Sequence, residues 1–314
     1  MTAKIVTSTE NLPYEDWLEF RKNGIGGSDA SVVCGINRYK SLVELWMEKT
    51  NRIPSQEAGE SAYWGTQLEP LVREEFTKRT GIKVDLCKQL LQSEKLPFMQ
   101  ANLDGICRDE NFGECIFEAK TASAFKASEW ENSIPDEYML QVQHYMAVTG
   151  FKAAYIAVLI GGNMFKWRLV ERDEELISML IELESAFWNY VQNDTLPPID
   201  GSDACSKFLA EKFSESKNAR INLPENSAEL IQKYSAASAE ISALTEEKQL
   251  AENLLKELLG ENEIGVIGDK IVSWKSVSQE RLDTKTLKSE HPALYKKYAT
   301  TTNYRRFSIK SANN

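Results

Sequence analysis

The segment from Ala154 to Ile160 is almost continuously apolar, with only the Tyr155 hydroxyl breaking the run. A segment so short and so apolar reads as a β-strand covered on both faces. Such a strand needs neighbours in a sheet and helices above and below it. The surrounding pattern supplies both. Helical periodicity is expected over 14–23, 41–49, 63–79, 136–148 and 173–193. In the third of these, Leu68, Leu71, Val72 and Phe76 fall on one face. Strands are expected over 83–91, 100–107, 114–121, 153–160 and 164–170. The second and third strands bracket the turn-like DENFGE at 109–114, which makes them neighbours. The expectation is an α/β (α+β) domain over residues 1–200, with one central mixed β-sheet flanked by helices.

NDTLPPIDGSD at 193–203 reads as a connection to an accessory region, 201–314. A long helix is expected over 226–259, capped by Asn226 or Ser227 and stopped at Gly260. Leu230, Tyr234, Ala237, Ile241, Leu244, Lys248, Ala251, Leu255 and Leu258 form a heptad seam along it. Lys248 and Ala251 weaken that seam, so an intramolecular antiparallel helix pair fits better than a long dimeric coiled coil. A partner-docking helix is the alternative. Beyond it lies a hairpin, Gly265 to Val277, and then a basic tail, the two together covering 264–314.

Composition narrows the chemistry. The 314 residues include only two histidines, His144 and His291, too few for a multi-His zinc site. The five cysteines are scattered and form no C-x-x-C pair, so zinc ribbons, disulfide frameworks and four-cysteine iron–sulfur clusters are not expected. An enzyme built from this chain would rely on carboxylates and a borrowed cation. Net charge is −10, unevenly spread, with residues 270–314 carrying ten Lys or Arg against Glu280, Asp283 and Glu290. Interleaved with Trp274, Tyr295, Tyr298, Tyr304 and Phe307, these cations have the composition of a nucleic-acid surface; a charge-balancing accessory domain is the plainer reading. No run approaches the roughly 20 apolar residues that span a bilayer, and the polar N-terminus lacks a signal-peptide core. A cytoplasmic protein is expected.

Three carboxylates and a lysine stand out. Glu118 and Lys120, in IFEAKT, share a strand face with Ala119 opposite. Asp104, in NLDGIC, would lie beside Glu118 if the two strands pair. Two converging carboxylates make a hard oxygen site of the kind magnesium takes, and a nearby lysine can serve a water nucleophile or a phosphoryl charge. Alone, the E-x-K triplet reads as an ordinary exposed ion pair. Its company decides otherwise. GTQLEP (65–70) carries Glu69, and QVQHY (141–145) places Gln141 and Tyr145 one helical turn apart. RKNGIGGSDAS (21–31) joins Arg21 to a glycine-rich turn ending in Ser28 and Asp29, with Ser28 a potential cap for a helix over 30–34. That combination suits an anion. His144 reads as a packing or supporting residue, and the tryptophans read as core or rim aromatics.

R-x-x-G-I-G-G-S-D, G-x-x-L-E-P, L-D-G…E-A-K and Q-V-Q-H-Y, in that order, resemble the YqaJ-type phage recombinase exonucleases. These are relatives of lambda exonuclease in the PD-(D/E)XK nuclease superfamily, and the resemblance spans roughly 15–192. It implies a restriction-endonuclease-like core with a C-terminal helical and hairpin extension. It also implies a magnesium-dependent double-strand DNA exonuclease that digests 5′→3′ and leaves single strands for recombination by annealing. Asp104, Glu118 and the Ala119 backbone carbonyl would ligate the metal. Glu69 would complete a second metal position, with Mn2+ able to substitute for Mg2+. Lys120 would serve the attacking water, Gln141 would hold the site, Arg21 and Ser28 would bind the 5′-phosphate, and Tyr145 would complete the signature. Asn102-Leu103 stand before Asp104 where the superfamily name has proline, which contributes no ligand. A single-strand annealing protein, a ring-shaped trimer, and a phage or prophage origin in a bacterial host are further implications. A single-strand or opposite-polarity nuclease of the same superfamily, a non-catalytic DNA-end binder and a structural adaptor remain alternatives.

Overall fold

The computed structural model describes residues 3–54, 59–300 and 304–310; the rest, including 301–303 and 311–314 of the basic tail, lie outside the described residues. The chain divides into two units, one ending at Leu209 and one beginning at Ala210.

The first unit opens with β1 (Ala3–Ser8), then α1 (Tyr14–Lys22), α2 (Gly27–Val33), α3 (Leu42–Lys49) and α4 (Glu60–Thr80). Short strands β2 (Val84–Asp85), β3 (Gln89–Ser93) and β4 (Gln100–Asn102) lead to the hairpin of β5 (Gly105–Asp109) and β6 (Gly113–Ala122). A 3-10 segment, Ala124–Trp130, precedes α5 (Asp136–Thr149), β7 (Ala153–Ile160), β8 (Met164–Glu171) and α6 (Glu174–Gln192). Helix α7 (Asp203–Lys212) follows the connection.

The apolar run is β7, buried at every position except Leu159. It lies in a five-stranded mixed sheet of order β2-β5-β6-β7-β8, in which only β6 and β7 are parallel. A parallel neighbour requires a crossover, and α5 supplies it. Val142, Tyr145 and Met146 of α5 cover one face of the sheet against Ile116, Ile156 and Val158. Val72 and Phe76 of α4 cover the other against Phe117, Tyr155 and Ala157. This two-sided covering is what the composition of β7 demanded.

Several expectations need correction. Among the described residues of this unit there are two sheets, the second being β1-β3-β4. The expected strand 83–91 is split between them. The expected strand 100–107 breaks at Leu103-Asp104, where the chain leaves one sheet for the other. Gly105 makes that passage possible, because a Cβ there would sit 2.5 Å from Val84 Cγ1. Helix α4 begins at Glu60 and runs through Pro70, so Glu69 lies mid-helix. Ser28 does not cap a 30–34 helix. Helix α2 starts at Gly27, and the Asp29 carboxylate accepts the Gly26 N–H at 3.1 Å.

In the second unit, α8 (Ser227–Leu259) is capped by no side chain at Asn226 and ends at Gly260, whose φ is +57°. Its expected antiparallel helical partner is absent among the described residues, and along the whole helix only Leu259 is buried. The hairpin is shorter than expected, β9 (Ile264–Ile267) against β10 (Lys270–Ser273), turning at Gly268. Two short helices, α9 (Thr284–Glu290) and α10 (Pro292–Tyr298), occupy part of the tail. Among the described residues no helix is long and apolar enough to cross a membrane.

Candidate active site

The β5–β6 register pairs Gly105 with Phe117, which sets Asp104 next to Glu118. Asp104 Oδ2 accepts the Ala119 N–H at 2.9 Å. Strand alternation then turns Glu118 and Lys120 together toward α5, and Lys120 Nζ donates to Glu118 Oε1 at 2.6 Å. Gln141, on α5, closes the group. Its Nε2 donates to Glu118 Oε1 at 2.7 Å and to Tyr145 Oη at 3.0 Å, and its Oε1 accepts from Lys120 Nζ at 3.0 Å. Both N–H bonds of the amide are thereby used, which fixes its orientation. The i, i+4 spacing of Gln141 and Tyr145 is what lets one helix face supply both.

Electrostatics set this group apart from a surface ion pair. Burial pushes the Glu118 carboxyl up to about 8, with the Asp104 charge adding to the rise and Lys120 opposing it. Burial, then the Asp104 charge, raises Glu69 to about 7 against Arg73 and Lys120. Asp104 is likewise raised by burial, opposed by Lys120 and the Ala119 N–H. Burial works against the charge on Lys120, but Glu118 and Asp104 outweigh it and hold its ammonium above the ordinary lysine range. Carboxylates gathered this way repel one another until a cation joins them.

Among the described residues no three or more His, Cys, Asp or Glu side chains are disposed to hold a metal ion. The fit to a hard divalent cation rests on the donors themselves. Glu118 Oε2 is buried and has no hydrogen-bond partner, and Asp104 brings a second carboxylate to the same spot. An orphaned buried carboxylate oxygen is costly unless something positive meets it. Glu69 is close enough to Asp104 for their charges to interact, but its Oε1 faces Arg73 Nη1 at 3.4 Å. It stands at the margin of the group.

Arg21 and Ser28 also come together, with Arg21 Nη2 donating to Ser28 Oγ at 3.1 Å. A cleft of about 170 Å3 is lined by these two side chains and by Asp104, Glu118, Gln141 and Tyr145. Sequence reasoning missed what holds Arg21. Its guanidinium lies 5.0 Å from the centre of the Trp17 ring and 3.5 Å from Asp29 Oδ1. Asp29 is buried and pairs at 2.8 Å with the buried Lys49, whose Nζ also donates to the Arg21 carbonyl at 2.7 Å. Burial alone would raise Asp29, but Lys49 and Arg21 prevail and hold it well below the carboxylate range. The one available signal was Asp29 inside G-G-S-D; nothing in WMEK marks Lys49. A second cleft, about 520 Å3, shares Arg21 and Trp17 and adds Lys22, Lys40, Lys49 and Tyr63.

His144 is fully buried outside the cleft lining. Its Nδ1 lies 2.8 Å from Glu184 Oε1 and its Nε2 lies 2.9 Å from the Gln100 carbonyl. A carbonyl can only accept, and a carboxylate does so when ionised, so the ring is suited to donate from both nitrogens as an imidazolium. Burial opposes that charge and Glu184 restores it, raising the imidazole above its ordinary value.

Comparison with known proteins gives three results. Residues 16–152 match the YqaJ-like viral recombinase domain. The chain is 40% identical over 314 residues to the uncharacterized protein YqaJ of Bacillus subtilis (strain 168), with 98% of each chain covered. Among solved structures, the alkaline exonuclease LHK-Exo of Laribacter hongkongensis is similar with a TM-score of 0.47 and 20% identity, over 64% of this chain and 98% of that one. A phage-related exonuclease from Haemophilus somnus 129PT is similar with a TM-score of 0.45 and 14% identity, over 56% and 97%.

Proposed function

Because the chain belongs to the YqaJ-like viral recombinase family, we propose that it is a divalent-metal-dependent exonuclease acting on double-stranded DNA ends. It degrades the 5′-ended strand and leaves a single strand for a strand-annealing partner. One observation carries this reading: a single cleft is lined by a phosphate-ready pair, Arg21 and Ser28, and by the carboxylate group around Glu118.

Asp104, Glu118 and the Ala119 carbonyl would hold a magnesium ion, and Glu69 would complete a second metal position. Bound there, such ions supply Lewis-acid activation and neutralise phosphoryl charge. The remaining work belongs to the chain. Gln141 fixes both the Glu118 oxygen and the Lys120 ammonium, so the lysine is presented in one orientation toward the attacking water and the scissile phosphate. Tyr145 holds the Gln141 amide in that position. Arg21, stiffened by Trp17 and Asp29, binds the terminal phosphate through a charge-assisted contact. A ring-shaped trimer in the bacterial cytoplasm, encoded by a phage or prophage, completes the proposal.

The test compares linear duplexes bearing a 5′-phosphate or a 5′-hydroxyl, each labelled at one strand end, with Mg2+ present. Label should be lost first from the 5′-phosphorylated strand. Arg21→Ala should slow phosphorylated ends roughly tenfold or more beyond its effect on hydroxyl ends, the scale of a lost charged hydrogen bond. Equal slowing of both would remove the phosphate role, and loss of label from the 3′ end first would reverse the polarity.

A further inference from the structure

The tail beyond the β9–β10 turn carries charge that the fold does not use. Residues 270–310 hold ten Lys or Arg against Glu280, Asp283 and Glu290. Among the described residues, the only ion pair made by any of the ten is that of Lys270 with the adjacent Asp269, at 3.5 Å. Helix α8 lies in the same unit and carries six glutamates. Its ion pairs nevertheless run within the helix, Lys233 to Glu229 and Lys256 to Glu252. Asp283 is engaged in the α9 cap, where it accepts the Lys285 and Thr286 N–H groups at 3.0 Å. Arg305 donates to the Phe213 carbonyl at 2.9 Å, which satisfies an N–H without neutralising the charge. Like charges gathered without counter-charges repel, so being basic gains this segment nothing in folding. A tail that merely balanced an acidic helix would pair with it, and among the described residues it does not.

The aromatic rings of the tail are equally open. Trp274, Tyr298, Tyr304 and Phe307 are 50% to 82% exposed. Cations stand beside them, with Lys297 5.4 Å from the centre of the Tyr298 ring and Lys256 of α8 5.5 Å from that of Trp274. Arg305 and Arg306 fall between Tyr304 and Phe307 in the chain. Two contacts give the extent of the surface. Trp274 meets Lys256, and Phe307 meets Tyr234 with ring centroids 5.6 Å apart. Tyr234 and Lys256 are 22 residues apart on α8, about 33 Å along its axis.

We propose that this tail binds single-stranded DNA, with Lys296, Lys297, Arg305 and Arg306 meeting phosphates and Tyr298 and Tyr304 stacking on bases. A single strand alternates negative charge with flat apolar faces, and K-K-Y at 296–298 and Y-R-R-F at 304–307 present the complement of both. A duplex fits less well, because its bases are already stacked on one another. An anionic membrane surface calls for cations beside a long apolar helix face, whereas α9 and α10 have seven residues each. The strand left behind by a nuclease in the first unit would be the occupant; that role rests on the function proposed above, and the binding itself does not.

The test uses the full chain without divalent metal, so that nothing is degraded, and a fluorescent circular single strand, which has no end for the Arg21 cleft to hold. Anisotropy should report binding that weakens with salt. Joint Lys296→Ala and Lys297→Ala substitution should lower the slope of log affinity against log salt by roughly 1.4. Tyr298→Ala and Tyr304→Ala should each weaken binding about tenfold, while Tyr298→Phe and Tyr304→Phe should not, because stacking needs the ring and not the hydroxyl. A closed circular duplex should bind more weakly and ignore the tyrosine substitutions. No binding of the single-stranded circle, an unchanged salt slope, or equal losses in the Phe and Ala variants would overturn the proposal. Tighter binding to phosphatidylserine vesicles than to the circle would overturn it too. Nucleotide release from linear duplex, measured separately with Mg2+, keeps the two readings apart. A chain that releases nucleotides but ignores the tail substitutions on the circle removes the tail surface alone; one that binds the circle through the tail and releases nothing removes the nuclease reading alone.

Discussion

Glu118 shows how one residue can be structurally expensive and chemically useful at once. One of its oxygens accepts from Lys120 and Gln141 while the other is buried without a partner. Keeping it there requires that its neighbours be rigid, and the rigidity traces back to a glycine. A Cβ on Gly27 would lie 2.5 Å from Tyr145 Cε1 and 3.0 Å from Gln141 Cγ. Helix α2 can therefore approach α5 closely only without a side chain at that position. Gly27→Ala should destabilise the protein by about 1–3 kcal/mol and displace Tyr145 from Gln141, cutting nucleotide release more than stability alone explains. Gly26→Ala is the control, since a Cβ there meets nothing nearer than Asp29 Oδ2 at 3.9 Å. Thermal melts and rates on the two variants check this; equal behaviour would contradict it.

Among the elements, α5 is the hub: it covers the sheet, supplies Gln141 and Tyr145, and is tied to α6 and β4 by the buried His144 between Glu184 and the Gln100 carbonyl. The imidazole is raised by Glu184 in the folded state. Its contribution to stability is therefore fully present below the unfolded value of about 6.5 and is lost as pH rises through the folded value. Melting the unsubstituted chain and His144→Gln across pH should show the widest gap near pH 6, narrowing toward alkaline pH; a gap that stays constant would contradict the assignment. These elements were legible in the sequence to different degrees. β7 was plain because burial on both faces leaves no alternation, and Glu118-Ala-Lys120 was plain because alternation fixes who shares a face. The break at Leu103-Asp104 was not, because the pattern of QANLDGIC continues smoothly across a change of sheet. Lys49 was not, because a lysine reads as exposed until its buried partner is known. The α8 seam announced that a partner was wanted but not where it would come from.

Taken whole, the chain carries a net charge of −10, and the cations lining the larger cleft, Arg21, Lys22, Lys40 and Lys49, are each paired with a carboxylate, Asp29, Glu19, Glu48 and Asp29 in that order. Just beyond α7, within the second unit, residues 213–226 form an exposed stretch without helix or strand. Limited trypsin digestion should accordingly leave a resistant N-terminal fragment ending at Lys217 or Arg220, read by mass spectrometry. A resistant fragment extending past Arg220 would mean that the stretch is protected. The family membership and the α/β core expected from four motifs are what the comparisons and the structure give; the activity itself is the claim most worth testing. The direct measurement is mononucleotide release from a linear 5′-phosphorylated duplex by the full chain with and without Mg2+, beside Glu118→Gln and Lys120→Ala variants shown by melting to be folded. Release that requires Mg2+ and falls at least a hundredfold in both variants is the predicted result. No release by the unsubstituted chain, or release that survives in the folded variants, would contradict the assignment of this cleft as a nuclease site.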